Sequence, residues 1–268
     1  MEINMKEFEE LSRKYRSELF EKFVEVGQGH PGSTFSMLDI VVTLYHGGKV
    51  RFNSETKTFY DTVIISKGHA TVALYPVMKE FGVLPDYEWN NWGRGGPSCL
   101  RVFGNISIPG IDMTSGSLGH GIGVGAGMAI AEPDKHVYVI ISEGELYEGS
   151  TWEALLFVAH RQIKNMTIII DVNNLIILGK TDDCIKLNSI KDKLNGFEFD
   201  LYEVNGHNHQ SIFAALDVQT QQPKVIIANT VKGKGFSLME NKPEWHYMQP
   251  ITPEQIEQCR KEINNVTA

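Results

Sequence analysis

The chain has 268 residues, 42% of them hydrophobic and 22% charged, which is typical of a folded protein and not of a disordered or low-complexity one. Its formal net charge of −8 argues against a general nucleic-acid binder, because attraction to phosphates needs a basic surface. The length suits one α/β domain, so we predict a single domain over residues 1–268.

The cysteines and the N-terminal residues indicate the cellular compartment. Cys99, Cys184 and Cys259 are widely spaced and form no CxxC pair for zinc or redox chemistry. The acidic segment 1–10 lacks the pattern of a secretory signal, and no apolar run approaches membrane-spanning length. We therefore expect a cytoplasmic protein with reduced thiols and no contact with a membrane.

Periodic apolar residues in the first third of the chain predict two helices. Between Phe8 and Val26 they recur every three or four positions, as on an amphipathic helix, and a glycine-rich segment ends this pattern. Ser33 or Thr34 is expected to cap a second helix that runs through Leu44. The other elements predicted for this third are a strand over 62–65 and a helix over 70–81.

The rest of the chain alternates β-branched runs with helical segments. The runs 136–141 and 166–171 are separated by a helical segment over 149–162, which indicates a βαβ unit whose parallel strands are buried on both faces. Further predicted elements are a glycine-rich helix over 117–131, strands over 201–204 and 225–228, and helices over 211–218 and 253–266. The alternation predicts an α/β fold, a doubly wound and mostly parallel sheet with helices on both faces, in which ligands bind at the carboxyl ends of the strands.

Oxygen-bearing side chains follow two of these strands. Glu143 ends one strand, Glu148 opens the next helix, and Asn173 follows the next strand. Adjacent strand tips of a parallel sheet are roughly 5 Å apart, so such oxygens suit a shared Mg²⁺ together with phosphate and water. Taken alone, the two glutamates are equally explained as solvated loop carboxylates, one of which favours a helix start.

Small residues fill segment 114–121, ahead of the glycine-rich helix. They would let backbone amides approach an anion at the helix start. Each helical glycine costs about 1 kcal/mol relative to alanine, so close packing or a ligand must account for the glycines here. A tight turn with a glycine-lined interface is the alternative.

Three histidines follow predicted helices or strands, namely His30, His69 and His246. Imidazoles suit proton transfer on sugar hydroxyls and hydrogen bonding to phosphate near neutral pH. A single histidine is more often structural, whereas three in such positions favour a shared site.

Six sequence blocks stand in order along the chain. They are GHPGST (29–34), SKGHA (66–70), PGIDMTSGSLGHG (109–121), SEGELYEGSTWEA (142–154), DVNNL (171–175) and KGKGFSLMENKPEWH (232–246). In this order they resemble the N-terminal half of transketolase over nearly the whole chain. The fourth and fifth blocks resemble the thiamine diphosphate signature of that family, with the carboxylate at 143 and the amide at 173 keeping its spacing.

The resemblance implies the thiamine-diphosphate-binding fold, with thiamine diphosphate and Mg²⁺ or another divalent cation as cofactors. The implied metal ligands are Glu143, Asn173 and the backbone carbonyl of Leu175. The residues implied to face the cofactor are Gly144, His69 and His246 at the diphosphate and Gly116, Ser117 and Leu118 at its central part. His30 matches a histidine near the reacting sugar, and Glu148 matches a carboxylate at a subunit contact that couples two active sites.

The resemblance also implies a partner. The family's glutamate that activates the aminopyrimidine ring, and its arginines for sugar phosphates, belong to a second domain that follows this half. We therefore expect a C-terminal, pyrimidine-binding transketolase subunit, an α2β2 assembly, and transfer of a two-carbon ketol unit from a ketose or ketose phosphate donor to an aldehyde acceptor.

Several positions depart from the family pattern. Segment 142–144 reads Ser-Glu-Gly instead of Gly-Asp-Gly, which places the metal carboxylate one methylene farther out. Asn105 stands where the family has a histidine near the first hydroxyl of the donor, and an amide can bond to a hydroxyl but cannot shuttle its proton. Ile176 and Leu178 replace polar residues, and Tyr247 replaces a glycine and narrows the pocket.

These departures favour a specialised transketolase, with an unusual donor or acceptor, over a housekeeping enzyme with tolerated drift. A non-catalytic subunit that keeps the fold for assembly is a third account, which the retention of Gly144, Asn173 and the three histidines opposes. The α subunit of a 2-oxoacid dehydrogenase shares the cofactor and the two-chain arrangement, but the GHPGST and SKGHA blocks favour transketolase.

Overall fold

The computed structural model describes residues 4–94, 98 and 100–264. The strands in this part are β1 (Phe52–Asn53), β2 (Thr58–Phe59), β3 (Thr62–Ile65), β4 (Val137–Ser142), β5 (Met166–Val172), β6 (Leu175–Ile176), β7 (Gly179–Lys180), β8 (Asp200–Asn205) and β9 (Lys224–Asn229). The α-helices are α1 (Met5–Val26), α2 (Pro31–His46), α3 (Tyr75–Glu80), α4 (Asp86–Asn90), α5 (Gly121–Ala131), α6 (Gly149–Arg161), α7 (Thr181–Cys184), α8 (Ile190–Leu194), α9 (His209–Asp217) and α10 (Pro253–Asn264). Short 3₁₀ helices cover Gly68–Leu74, Glu143–Tyr147, Asn195–Phe197 and Pro243–His246.

Five strands form the central sheet in the order β3-β4-β5-β9-β8, and each neighbouring pair is parallel. The order departs from the sequence order at β9, so the chain crosses over the sheet between neighbours. Every residue of β5 is buried, as expected for a strand covered on both faces.

Side chains of one strand alternate between two apolar clusters. Tyr138 and Ile140 of β4 pack in the cluster that contains α1, α2 and α9. Val137, Val139 and Ile141 pack on the other face, in the cluster that contains α5 and α6. Helices therefore cover both faces, and the predicted α/β fold class is confirmed.

The predicted central strands and most predicted helices begin and end close to the observed bounds. The prediction of a cap at Ser33 or Thr34 is wrong, because α2 begins at Pro31 with His30 as the residue before it. Proline fits a first helical position since its fixed φ is helical and its missing N–H is not needed there.

Two further helix predictions need correction. The helix predicted over 117–131 begins only at Gly121, because Gly119 has a φ of 81°, a left-handed conformation that no α-helix accepts. The helix predicted over 70–81 is a 3₁₀ helix over Gly68–Leu74 followed by α3. In both places the turn before the helix is shaped by contacts with distant segments.

The thiols and the terminal helix agree with prediction in the described part of the chain. Cys184 is exposed and Cys259 is buried, and both are free, whereas Cys99 lies outside the described residues. The helix predicted over 253–266 is α10, which is described as far as Asn264. Within the described ranges no helix combines the length and apolarity needed to cross a bilayer.

Candidate functional site

A cavity of about 390 Å³ opens at the carboxyl ends of β3, β4 and β5. The register pairs Ile65 with Ile140 and Ser142 with Asp171, so the segments after these strands meet at one edge of the sheet. The predicted site residues that line the cavity are His30, His69, Gly116, Leu118, Glu143, Gly144, Glu148, Asn173, Leu175 and His246. The structure thus brings together residues from near the beginning of the chain and from near its end.

A buried ion pair forms the floor of this cavity. The ammonium of Lys67 contacts the carboxylate of Asp171, and both side chains are almost inaccessible. Asp171 also accepts hydrogen bonds from Ser36 Oγ at 2.5 Å and from the hydroxyl of Thr230. Burial alone would raise the pKa of Asp171, but the Lys67 charge outweighs it and holds that pKa below its usual value. Each charge of the floor is therefore compensated within the protein.

Glu143 is the buried carboxylate of the site that lacks full compensation. It is 3% exposed, and its Oε1 has no hydrogen-bond partner in the part of the chain that the structure describes. Burial and the nearby Asp171 charge raise the pKa of Glu143 to about 8. A divalent cation would supply the missing partner.

Asn173 and the Leu175 carbonyl complete a donor set that fits such a cation. Asn173 is buried, and its Oδ1 accepts the Leu175 N–H at 3.2 Å. The Leu175 carbonyl accepts from Lys232 Nζ at 3.3 Å. Among the described residues no group of three histidine, cysteine or acidic side chains is arranged for a metal, so phosphate or water oxygens would have to complete the coordination.

The three predicted histidines form one cluster. The ring of His30 lies 5.0 Å from that of His69 and 5.4 Å from that of His246, and the last two are 5.2 Å apart. Burial, with a contribution from Lys232, lowers the pKa of His30 to about 4 and that of His246 to about 3. These rings are neutral near pH 7, so they act as hydrogen-bonding groups and not as fixed cations.

One nitrogen in this cluster is available to a ligand. Nδ1 of His30 is buried without a partner among the described residues. The rings of Phe103 and Tyr247 lie 5.6 Å and 4.8 Å from His30, so aromatic side chains surround it. His69 is anchored differently, with Nε2 3.2 Å from Ser33 Oγ.

Lys232 belongs to the site but escaped the sequence analysis. Its side chain is 1% exposed, and Nζ lies 3.0 Å from His246 Nδ1. Burial and the charge of Lys67 lower the pKa of Lys232 to about 8. The available signal was its position directly after a continuous β-branched strand, where an uncompensated lysine has no structural reason to lie.

The glycine-rich segment does not offer the free amides that were predicted at its helix start. The N–H of Gly119 donates to Glu145 Oε1 at 2.9 Å, and the N–H of Gly121 donates to Ser66 Oγ at 3.0 Å. The Glu145 carboxylate also accepts from Ser66 Oγ and from Ser142 N. The prediction is wrong for these two amides, because protein acceptors already occupy them.

Ser117 and Asn105 lie outside the lining of the cavity. Ser117 is exposed between two lining residues. Asn105 Oδ1 accepts the Ser107 N–H at 2.9 Å, and its backbone carbonyl accepts from Ile108, so its side chain closes a local turn. Their roles stay predictions.

Glu148 and Ser142 occupy the turn that leads from β4 into α6. Glu148 lines the cavity, is exposed and precedes the first residue of α6, as predicted. Ser142 has a φ of −92°, which any residue adopts, so serine in place of glycine causes no backbone strain there.

Comparison with known proteins agrees with this arrangement. Residues 13–265 match the family model described as "Transketolase, thiamine diphosphate binding domain". One of the two named subunits of apulose-4-phosphate transketolase from Phocaeicola vulgatus is 34% identical over 261 residues, which cover 94% of this chain and 92% of that protein. The 6-deoxy-6-sulfo-D-fructose transketolase subunit SqwG of Clostridium sp. is 32% identical over 85% of this chain and 86% of its own length.

Longer transketolases are matched over one part only. Human transketolase is 31% identical over 88% of this chain and 39% of its own length. The crystal structure of transketolase from Campylobacter jejuni superposes with a TM-score of 0.87 at 25% identity, over 98% of this chain and 43% of that one. This chain therefore spans about two fifths of the longer transketolases it matches.

Proposed function

The chain belongs to the transketolase family, in its thiamine diphosphate-binding domain, and from this membership we propose that it is the diphosphate-binding subunit of a two-chain transketolase. The enzyme would transfer a two-carbon ketol unit from a ketose donor to an aldehyde acceptor. One observation of the structure carries the proposal. The unpartnered Glu143 carboxylate oxygen and the buried Lys232 ammonium line the same cavity at the ends of adjacent strands, as binding of a metal-bound diphosphate requires.

The relatives support the two-chain organisation. Two similar proteins of nearly matching length are named as transketolase subunits, whereas human transketolase is covered over 39% of its length. A partner would then supply the pyrimidine-binding half. The family match favours transketolase over the α subunit of a 2-oxoacid dehydrogenase.

The described residues fit the cofactor and its metal. Mg²⁺ or another divalent cation would be held by Glu143, Asn173 and the carbonyl of Leu175. The groups that would face the diphosphate are Gly144, His69, Lys232 and His246, and Gly116 with Leu118 would face the central part of the cofactor. When bound, thiamine diphosphate supplies the electron sink for breaking a carbon–carbon bond next to a carbonyl, which no protein side chain offers.

His30 would handle the donor. Its neutral ring has a buried Nδ1 without a partner among the described residues and lies beside the diphosphate-binding histidines. A neutral imidazole can accept a proton from a sugar hydroxyl or donate one to it. The surrounding rings of Phe103 and Tyr247 would exclude water from this transfer.

We also propose a cytoplasmic α2β2 assembly. Apolar side chains on α5 and α6 remain exposed, namely Val124, Ile130, Leu156 and Phe157. They stand on the helices that border Glu148, and their burial against another protomer would be favourable. Light scattering of the chain with its partner should give a mass of two copies of each. Monomers at micromolar concentration, with and without the partner, would contradict this assembly.

The decisive experiment measures ketol transfer with and without the partner chain. The purified chain alone should show no thiamine-dependent transfer, because the aminopyrimidine ring has no binding half, and the reconstituted pair should restore turnover. The donor panel should contain apulose 4-phosphate, 6-deoxy-6-sulfo-D-fructose and fructose 6-phosphate, since the named relatives differ in the sugar that their names give. Transfer by the single chain would refute the two-chain proposal, and a pair that binds cofactor without any transfer would favour a non-catalytic role.

A further inference from the structure

The peptide that precedes Lys232 is held from the side opposite the cavity. Strand β9 ends at Asn229, and the N–H of Val231 then donates to Nε2 of His207 at 2.8 Å. His207 lies in the turn after β8 and is absent from the cavity lining. It therefore contacts the backbone that carries the lysine but not the cavity itself.

The other side of the His207 ring is fixed by a buried carboxylate. Nδ1 lies 2.7 Å from Asp39 Oδ2, and Arg16 Nη2 donates to the same oxygen at 2.6 Å. Because Nε2 accepts a hydrogen bond from Val231, the ring proton must be on Nδ1, which donates to Asp39. The two contacts together require the neutral Nδ1–H form of His207.

The side chain of Lys232 has little room to compensate for a backbone shift. It passes over Gly32, where an added Cβ would come within 2.8 Å of the Trp245 carbonyl and 3.1 Å of Lys232 Cγ. Its Nζ reaches His246 Nδ1 and the Leu175 carbonyl from this path. A displacement of the Val231 peptide would therefore move the ammonium relative to both acceptors.

We infer that His207 is a positioning residue for anion binding in the cavity: fixed by Asp39, it holds the Val231 amide and thereby sets the location of the Lys232 ammonium. The inference rests on the proposed function for the identity of the anion, a diphosphate. The mechanical link from His207 to Lys232 is independent of that identity.

Two substitutions separate the two contacts of the ring. Glutamine places its amide near the position of Nε2, so His207→Gln keeps an acceptor for Val231 and loses the bond to Asp39. Asparagine places its amide near Nδ1, so His207→Asn keeps a donor for Asp39 and leaves the Val231 N–H without an acceptor. Each variant loses one hydrogen bond, so a general loss of stability should affect both alike, which thermal unfolding would verify.

Calorimetric titration of inorganic pyrophosphate into the full chain, with Mg²⁺ present, measures the consequence. His207→Asn should weaken pyrophosphate binding by about five- to tenfold, the loss expected when one hydrogen bond no longer holds the lysine. His207→Gln should stay within about twofold of the unchanged protein. Equal affinities of the two variants would overturn the inference.

Two measurements test the link without any anion. The nitrogen chemical shifts of the His207 ring should report the neutral Nδ1–H form, and another form would overturn the inference even if His207→Asn failed to fold. Reductive methylation followed by mass spectrometry should show a changed rate at Lys232 in His207→Asn only, with exposed Lys164 as the reference. If the unchanged protein bound neither pyrophosphate nor thiamine diphosphate, the proposed function would fail, and these two measurements would still decide the role of His207.

Discussion

Lys232 donates a hydrogen bond from its buried ammonium to Nδ1 of His246, 3.0 Å away, although the two residues lie on different segments of a long connection. The contact makes the histidine ring an acceptor at Nδ1 and leaves Nε2 to face other groups. It also explains why the pKa of His246 is low, since burial and the neighbouring ammonium both oppose a second positive charge.

Removing the ammonium should weaken cofactor binding while the fold is kept. We predict that Lys232→Met lowers thiamine diphosphate affinity of the reconstituted enzyme by about 1.5–3 kcal/mol, the usual contribution of a hydrogen bond to a charged group. Calorimetry measures the effect. Lys234→Met is the matched control, because Lys234 is two positions away and pairs with Glu240 outside the cavity. Similar losses in both variants would show that the loop and not the charge is responsible.

The Glu143 carboxylate should make cofactor binding depend on a divalent cation. A multiply anionic diphosphate would otherwise meet an acidic turn, and like charges would repel. Glu143→Ala should weaken thiamine diphosphate binding in the presence of metal, Glu143→Asp should change it little, and Mn²⁺ or Ca²⁺ should support binding about as well as Mg²⁺. The measurement is calorimetry with each metal and with chelator. Exposed Glu153→Ala serves as control, and binding that survives both chelator and Glu143→Ala would remove the metal site.

Asn105 should affect the choice of donor more than the cofactor. The side chain closes a local turn near Phe103, which lines the cavity, so a histidine there alters the donor side of the pocket. Asn105→His is expected to change relative kcat/KM among ketoses by roughly tenfold, with nearly unchanged thiamine diphosphate affinity. Equal changes for all donors would show that position 105 has no part in donor recognition.

Acid should destabilise the protein partly through Asp39. Burial alone would raise the pKa of Asp39, but Arg16 and His207 outweigh it and lower that pKa below its usual value. An unfolded aspartate titrates near about pH 3.9, so the pairing stabilises the fold above this pH and the gain is lost as the pH falls below it.

Arg16→Met should therefore lower the free energy of unfolding at pH 7 by about 3–5 kcal/mol, since it leaves a buried carboxylate with fewer partners. It should also flatten the decline of stability between roughly pH 4 and pH 2. Urea unfolding across this range measures both effects, with exposed Arg161→Met as control. An unchanged pH profile would mean that Asp39 keeps its charge without Arg16.

Local patterns predicted the fold well where burial on both faces leaves continuous β-branched runs. The strand over 62–65 was predicted with its observed bounds. Helix starts were less accessible, because the conformation of Gly119 depends on a hydrogen bond to Glu145, 26 positions later. A sequence pattern carries no information on which distant acceptor takes a given amide.

The same limit applies to the site. Glu143, Asn173 and the three histidines could be predicted because they occupy motifs at element ends. Lys232 could not, since its importance follows from the acceptors it reaches and from Gly32, which lets it pass. Contacts between remote segments decide such roles, and the topology of the sheet creates them.

The Glu145 carboxylate has a consequence for the order in which the protein folds. It accepts from Ser66, Gly119 and Ser142, which belong to three segments separated by long stretches of chain. Closing such long loops is entropically costly, so these bonds form only after β3 and β4 have paired. The rim of the cavity is therefore expected to assemble as one late cooperative unit, and a nascent chain would not present a half-formed site.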